Sequence, residues 1–459
     1  MLGGACGEAP LISVDASTAS GRTVLLADRH PTSRQVLDSA AELVRRHPRA
    51  CRLRTVGRSR AGRPLHLLSV GHGPRHALVV AGAHANEAAG GATVIELAHR
   101  ALADLGVVGP APAAPLRDPD LTWHFLLCLD PDAALLAEVG PREPGVLLDH
   151  FRAFHRQAPD EQPEWAPSVG AVLPESRALL ELIDELRPFV QCSLHTIELG
   201  GAFVQSTAEL PGLAEAFGKS AAELGIPLDL GPYDTLYWPS PGPGAYLMPP
   251  VAEVERSAAA SWAVGTTTWH APHRYGGSTV IIEVPLWAGE RAADAGPLAD
   301  PAPGLIAAAD RLRGRGRLVE RLYAATTARL GPEPGPGLRT ARETLRVLAP
   351  IADDWDPRVP QPGAPAMPPM TGARLAGVEA WSHCLPLRVV ALLRRALLER
   401  PTGAGRPGGD LADRLDGLLA HWCAEYQRRL GGVWVPAVRQ IEQQARAVRS
   451  AVELARPGR

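Results

Sequence analysis

The chain has 459 residues, 46% of them hydrophobic and 21% charged, and its 47 Lys+Arg and 49 Asp+Glu leave a formal net charge of −2. That length exceeds one typical domain and the hydrophobic share supports a packed interior, so two domains are expected. The near-balance of charge gives no electrostatic case for nucleic acid or an anionic membrane surface, and no uncharged apolar stretch is long enough to span a bilayer.

Residues 1–29, opening MLGGACGEAPLISVDAS, lack the basic start and continuous apolar core of a signal peptide. They read as an N-terminal extension of a cytoplasmic protein. Cys6, Cys51, Cys128, Cys192, Cys384 and Cys423 are scattered without CxxC spacing, as free thiols of a reducing compartment would be. Lys219 is the only lysine, and with abundant alanine, glycine and proline this bias suggests a GC-rich bacterial genome.

Residues 30–299 alternate between helical and strand-like patterns. Arg34–Arg46 has the periodicity of an amphipathic helix; Leu65–Val70 and Ala77–Gly82 read as strands, Ala88–Leu105 as a helix and His124–Leu129 as a strand. Ser176–Leu186 reads as a helix, followed by strands beginning near Phe189, Ala202 and Ser278. Such alternation predicts a three-layer α/β/α domain around a mixed, mostly parallel sheet. Residues 231–276 form a long Pro/Gly/aromatic insertion, GPYDTLYWPSPGPGAYLMPP onward, whose place just before the last strand suits a wall of a cleft.

Beyond residue 300 strand signals vanish. Gly304–Leu330, Gly337–Ile351, Pro386–Arg400 and Asp410–Leu454 repeat Leu, Ala and Val every three to four residues, with arginines between. They predict a C-terminal α-helical region over 300–459, with a Pro-rich linker near 354–372. It carries no metal or nucleophile motif and reads as a cover for the α/β domain or a surface for self-association.

Three predicted strands end in residues with chemistry. The run from Ala77 breaks at Gly82 and delivers His84 and Glu87, an imidazole and a carboxylate three residues apart. Phe189–Leu194 ends directly in His195, and Ser278–Val284 carries Glu283 near its end, an acid that is costly to bury unless paired or working. Two imidazoles and one carboxylate are the protein ligands of a catalytic zinc, which keeps one position open beside a free carboxylate. In an open α/β sheet such a site lies beyond the carboxyl ends of the strands. The reading is therefore one Zn²⁺ per chain on His84, Glu87 and His195, with Glu283 as the free carboxylate. His270 and His273 in WHAPHR also have metal-like spacing, but as a loop pair they suit a solvated or supporting role.

At these residues the chain resembles the zinc carboxypeptidase family, the metallopeptidases typified by carboxypeptidase A. Gly82-Ala83-His84-Ala85-Asn86-Glu87 with Gly90 fits the family's first motif, Ser193-Leu194-His195-Thr196 its third-ligand motif, and Glu283 in IIEVP its general base. Two landmarks depart from the pattern. Asp130-Pro131-Asp132-Ala133 stands where the family has Asn-Pro-Asp-Gly, and Asp149-His150-Phe151-Arg152 lacks the Asn of the family's Asp-x-Asn-Arg. Arg152 and Arg156 are the candidates for gripping substrate, and Tyr246 and Tyr275 for the family's mobile tyrosine. The resemblance implies a zinc metallocarboxypeptidase that hydrolyses an amide bond and releases a C-terminal residue, with Glu283 as general base. A zinc amidohydrolase acting on N-acyl amino acids, similar to succinylglutamate desuccinylase and aspartoacylase, shares His-x-x-Glu…His. A catalytically silent binding protein of the same fold is the third reading. The partner implied is thus a peptide or acyl-amino-acid substrate.

Overall fold

The structure, a computed structural model, describes residues 29–109, 116, 118–138, 144–249, 267–331, 335–360, 367–399 and 409–456. The predicted N-terminal extension lies almost wholly outside the described residues, as do 250–266 of the insertion and 361–366 of the Pro-rich linker.

Local sequence chemistry sets many of the element ends. Helix α1 (Ser33–Arg46) starts at Thr32, whose hydroxyl accepts from the Gln35 N–H while the Gln35 side chain accepts from the Thr32 N–H. This reciprocal cap satisfies donors that a helix start leaves open. Strands β1 (Cys51–Arg58), β2 (Pro64–Val70), β3 (Arg75–Val80) and β4 (Leu121–Leu126) alternate with helix α2 (Ala89–Asp104). Short helices α3 (Pro131–Ala137) and α4 (Leu147–Arg152) follow, then α5 (Pro174–Leu186), β5 (Val190–Gly200), β6 (Phe203–Ser206) and α6 (Leu213–Glu223). The series closes with β7 (Ala245–Leu247) and β8 (Ser278–Ala288).

These strands form one sheet in the order β1-β2-β4-β3-β5-β8-β6-β7. Its centre, β4-β3-β5-β8, is parallel, and β1, β2 and β6 join antiparallel toward the margins. The expected mixed α/β sheet is therefore present. The central strands are buried on both faces, which is why β4 and β8 read as near-continuous apolar runs. One face packs against α1, α2 and α6, the other against α5 and the turn around Ala271.

The C-terminal region is helical as predicted: α7 (Ala302–Leu330), α8 (Pro336–Trp355), α9 (Gly372–Glu399), α10 (Gly409–Leu430) and α11 (Ala437–Leu454). The continuous helical pattern read over Asp410–Leu454 is broken at Gly431-Gly432, where Val433–Trp434 (β9) pairs with the end of β8. Helices α7 to α10 share a core with α4, Leu286 and Trp287. Helix α11 leaves that bundle and packs on the sheet with α2 and α6, through Ala445, Val448 and Val452. Residue 300 is thus not a packing boundary for the last helix. Among the described residues no helix is long and apolar enough to cross a membrane.

The strands read as Ala77–Gly82 and His124–Leu129 begin and end earlier, at 75–80 and 121–126, because their apolar runs continue into turns that are buried as well. β1, α3, α6 and β7 were not legible, being short or only partly apolar.

In the bundle core His383 is fully buried, with Nδ1 3.1 Å from Arg315 Nη1 and Nε2 without a partner. Burial first, and then the charges of Arg315, Arg311 and Arg429, push its imidazole down to about 3. Below an unfolded value of ~6.5 the unfolded chain takes up a proton that the folded chain refuses, so stability is lost as pH falls from there toward 3. Between pH 7 and pH 5 this histidine removes about 2 kcal/mol. In a His383→Gln variant, denaturant unfolding at the two pH values should show a correspondingly smaller drop than wild type; equal drops would mean that His383 is protonated in the fold.

Candidate metal centre and active site

Three strand ends meet at the carboxyl edge of the sheet. β3 stops at Val80, and Gly82 makes the turn with φ 67°, a left-handed conformation that favours glycine. A Cβ there would also lie 2.7 Å from Cys128 Sγ. The chain then presents His84 and Glu87 just before α2. β5 presents His195, and its parallel register places His195 directly beside Glu283 of β8. The four residues that the sequence singled out are brought together.

Candidate ligand atoms of His84, Glu87 and His195 lie within 4.8 Å of one another. The Nδ1 atoms of the two imidazoles are 3.1 Å apart, and the Glu87 oxygens stand 3.0 Å from His84 Nδ1 and 2.8 Å from His195 Nδ1. A tetrahedral zinc with bonds of ~2.0–2.1 Å holds its ligand nitrogens roughly 3.3 Å apart, so the donors need to open by no more than about half an ångström to hold that ion. A second acidic group, Asp130, Asp132 and Glu175, is equally tight, but Arg60 bonds Asp130 and Glu175 and Arg63 bonds Asp132. Two guanidinium groups already occupy it.

With both Nδ1 atoms turned inward, each Nε2 needs a partner, and one short segment supplies both. His84 Nε2 lies 3.1 Å from Gln162 Oε1, and His195 Nε2 lies 3.0 Å from Glu164 Oε2. Glu164 is fully buried and also accepts from the Ser193 hydroxyl at 2.6 Å. A carboxylate behind a ligating imidazole fixes its orientation and raises its basicity. Sequence reading passed over Gln162 and Glu164, because EQPEW is a loop without periodicity and nothing local marks which of its acids is buried.

Burial alone would lower His195, but the carboxylates of Glu87 and Glu164 outweigh it and hold the imidazole well above its ordinary value. His84 is lowered, by burial and then by Arg156. Although burial opposes it, Glu87 is held well below the usual carboxylate range by the two histidines. Glu283 is pushed up to about 8 by burial, with Glu87 and Asp234 adding to the shift and His195 opposing it. Its Oε2 is buried without a hydrogen-bond partner. An unpaired buried carboxylate oxygen beside a metal-ligand set is what a proton acceptor awaiting water would present.

The two candidate arginines part company. Arg156 reaches the site: Nη1 donates to Glu87 at 2.7 Å and to Asn86 at 3.3 Å, while Nη2 stands 3.3 Å from His84 Nδ1. Arg152 is not brought there. Its guanidinium grips Asp416 of α10 with bonds of 3.1 and 2.8 Å, so it ties α4 to the helical region instead of facing substrate. The tyrosines are also held elsewhere. Tyr246 is buried and donates to the Asp229 carbonyl at 2.9 Å, and Tyr275 donates to Asp184 at 2.9 Å. His273 bonds Thr207 at 2.7 Å, and neither it nor His270 joins a metal-ligating group among the described residues.

Residues 36–138 match the family model described as zinc carboxypeptidase. The resemblance to that family holds. The matched segment contains His84 and Glu87 and ends before His195 and Glu283. Among solved structures, the metallo-carboxypeptidase of Burkholderia cenocepacia is 17% identical, with 54% of this chain and 58% of that one covered and a TM-score of 0.35. Carboxypeptidase A of Helicoverpa armigera is 14% identical, with 60% of this chain and 69% of that one covered and a TM-score of 0.36. These scores are too low to establish a shared overall architecture. No curated protein matches the chain.

Two substitutions separate the roles of the residues around the triad. Glu164→Gln keeps the size and the Ser193 contact but removes the charge behind His195, and should weaken zinc binding about 10–100-fold in a chelator competition. Arg152→Ala, outside the site, should leave zinc affinity unchanged; an equal loss in both would assign the effect to general loosening of the fold.

Proposed function

We propose that the chain is a zinc-dependent metallocarboxypeptidase, which hydrolyses the amide bond that attaches a peptide's C-terminal residue. The observation that carries this reading is the register of β5 and β8, which sets an unpaired carboxylate, Glu283, beside a preassembled His84–Glu87–His195 donor set. When bound, zinc would polarise the scissile carbonyl and lower the pKa of a water toward neutrality.

The remaining work falls to the chain's own residues. Glu283 accepts the proton of the attacking water and passes it to the leaving amine. Burial keeps this acid close to the proton affinity such a shuttle needs, and a cation in the site would favour its ionised form. Arg156, bonded to Glu87 and adjacent to His84, is the cation that would meet the negative charge developing on the former carbonyl oxygen. Glu164 and Gln162 hold the imidazoles with Nδ1 inward, so the donor set is organised before any ion arrives.

The experiment measures zinc per chain and, on the same sample, amine release from a panel of N-blocked dipeptides and N-acyl amino acids. About one zinc with cleavage of the dipeptides supports the carboxypeptidase; cleavage of acyl amino acids alone would make it a deacylase. Failure to take up zinc would leave only a binding protein. Glu283→Gln should keep its zinc and lose roughly 10²–10⁴-fold in turnover, whereas His195→Ala should lose both. Zinc retained at full affinity by His195→Ala would sink the ligand assignment.

A further inference from the structure

Between Glu379 and Arg394, Arg388 is the only formally charged residue of α9, within the apolar run LPLRVVALL. A guanidinium so placed is buried at a cost unless it is fully met or has a ligand to meet. Nη2 donates to Glu198 Oε2 at 2.6 Å, and the Cys384 thiol also lies within hydrogen-bond reach of the guanidinium. Glu198 lies on β5, three residues beyond His195, and its other oxygen is 3.5 Å from Asn86 Nδ2, next to Glu87. Arg388 is thus tied to the metal-ligand cluster through two side chains.

Part of the guanidinium is unspent. Arg388 Nε is buried without a partner, and the side chain retains 18% exposure. The rings of Phe154 and Trp381, 5.7 and 5.8 Å from its central carbon, fix its position. Helix α9 itself is docked backbone to backbone on the 229–237 loop, since a Cβ on Gly377 would lie 2.3 Å from the Gly231 carbonyl oxygen. That loop carries Asp234, whose carboxyl lies within the fields of Arg388, Arg156, Glu87 and Glu198 and is pushed up to about 6, chiefly by burial. Asp234, Arg388 and the metal triad therefore share one electrostatic neighbourhood.

We propose that Arg388, supplied by the C-terminal helical region, binds the free carboxylate of the substrate. The proposal deepens the carboxypeptidase reading and rests on it. A planar carboxylate suits the open donors of a guanidinium held between rings, while Glu198 and Asp234 disfavour a doubly charged anion such as phosphate. The helical region is then part of the binding site and not only its cover.

The test uses the zinc-loaded full-length chain carrying Glu283→Gln, titrated calorimetrically with N-acetylphenylalanine and with N-acetylphenylalaninamide. The acid should bind at least about tenfold more tightly than the amide, and adding Arg388→Met should abolish that preference while zinc content stays at one per chain. Arg388→Lys should restore part of it. Equal binding of acid and amide, or a preference that survives Arg388→Met, would overturn the proposal. Should Arg388→Met fail to fold, wild-type protein labelled with an arginine-selective dicarbonyl and mapped by mass spectrometry gives the same answer: the acid, and not the amide, should protect Arg388. Acid binding through Arg388 without any amide cleavage would reject the enzymatic reading and leave the subsite standing; cleavage without acid preference would do the reverse.

Discussion

Two imidazoles and three carboxylates are buried together at one end of this sheet, and an apolar interior accepts them only because each is paired or poised for a ligand. Glu87 stands between the imidazoles, Glu164 behind one of them, and Glu283 alongside with an open oxygen. Removing water from such a group magnifies every charge in it. The cluster is tolerable where a cation shares it, and Arg156 is the cation the chain itself contributes. Much of the surrounding architecture keeps these groups in place.

The parallel centre of the sheet does this first. β3, β5 and β8 run side by side, so their carboxyl ends deliver His84, His195 and Glu283 to one edge. The helical region adds a second constraint. Thr340 of α8 donates to the Arg156 carbonyl at 2.8 Å and Arg339 pairs with Glu161, bracing the loop that carries Arg156, Gln162 and Glu164. From the far side of the sheet, Gln444 of α11 donates to the His195 carbonyl at 2.8 Å. Helices with no chemistry of their own thus hold the strand and the loop on which the site depends.

The departures from the family's motifs have structural reasons here. Asp130, where the family has Asn, caps α3 and receives Arg60 and Gln157. The carboxylate partner of a candidate metal-ligating histidine comes from Glu164, downstream of Arg156, and serves His195. The Asp149–Arg152 stretch is free for another task, joining α4 to α10.

By itself the sequence determined the elements with long, strongly periodic patterns, and the candidate metal ligands, because a His or Glu at the end of an apolar strand is placed by the strand and needs only local chemistry to be noticed. Glu283 was legible for the same reason, as an acid inside a β-branched run. Only the tertiary structure decided what depends on contacts between segments far apart in the chain. Glu164 and Gln162 are loop residues whose partners, His195 and Ser193 of β5 for the first and His84 for the second, lie on other segments, and Arg152 and Arg156 are indistinguishable until one meets Asp416 and the other Glu87. Arg388 left a trace, a lone charge in an apolar helix, but the direction it points is fixed by the packing of α9 on the 229–237 loop. Side-chain partnerships across hundreds of residues carry no periodic signature, so pattern gave the scaffold and the candidate ligands, and packing chose their partners.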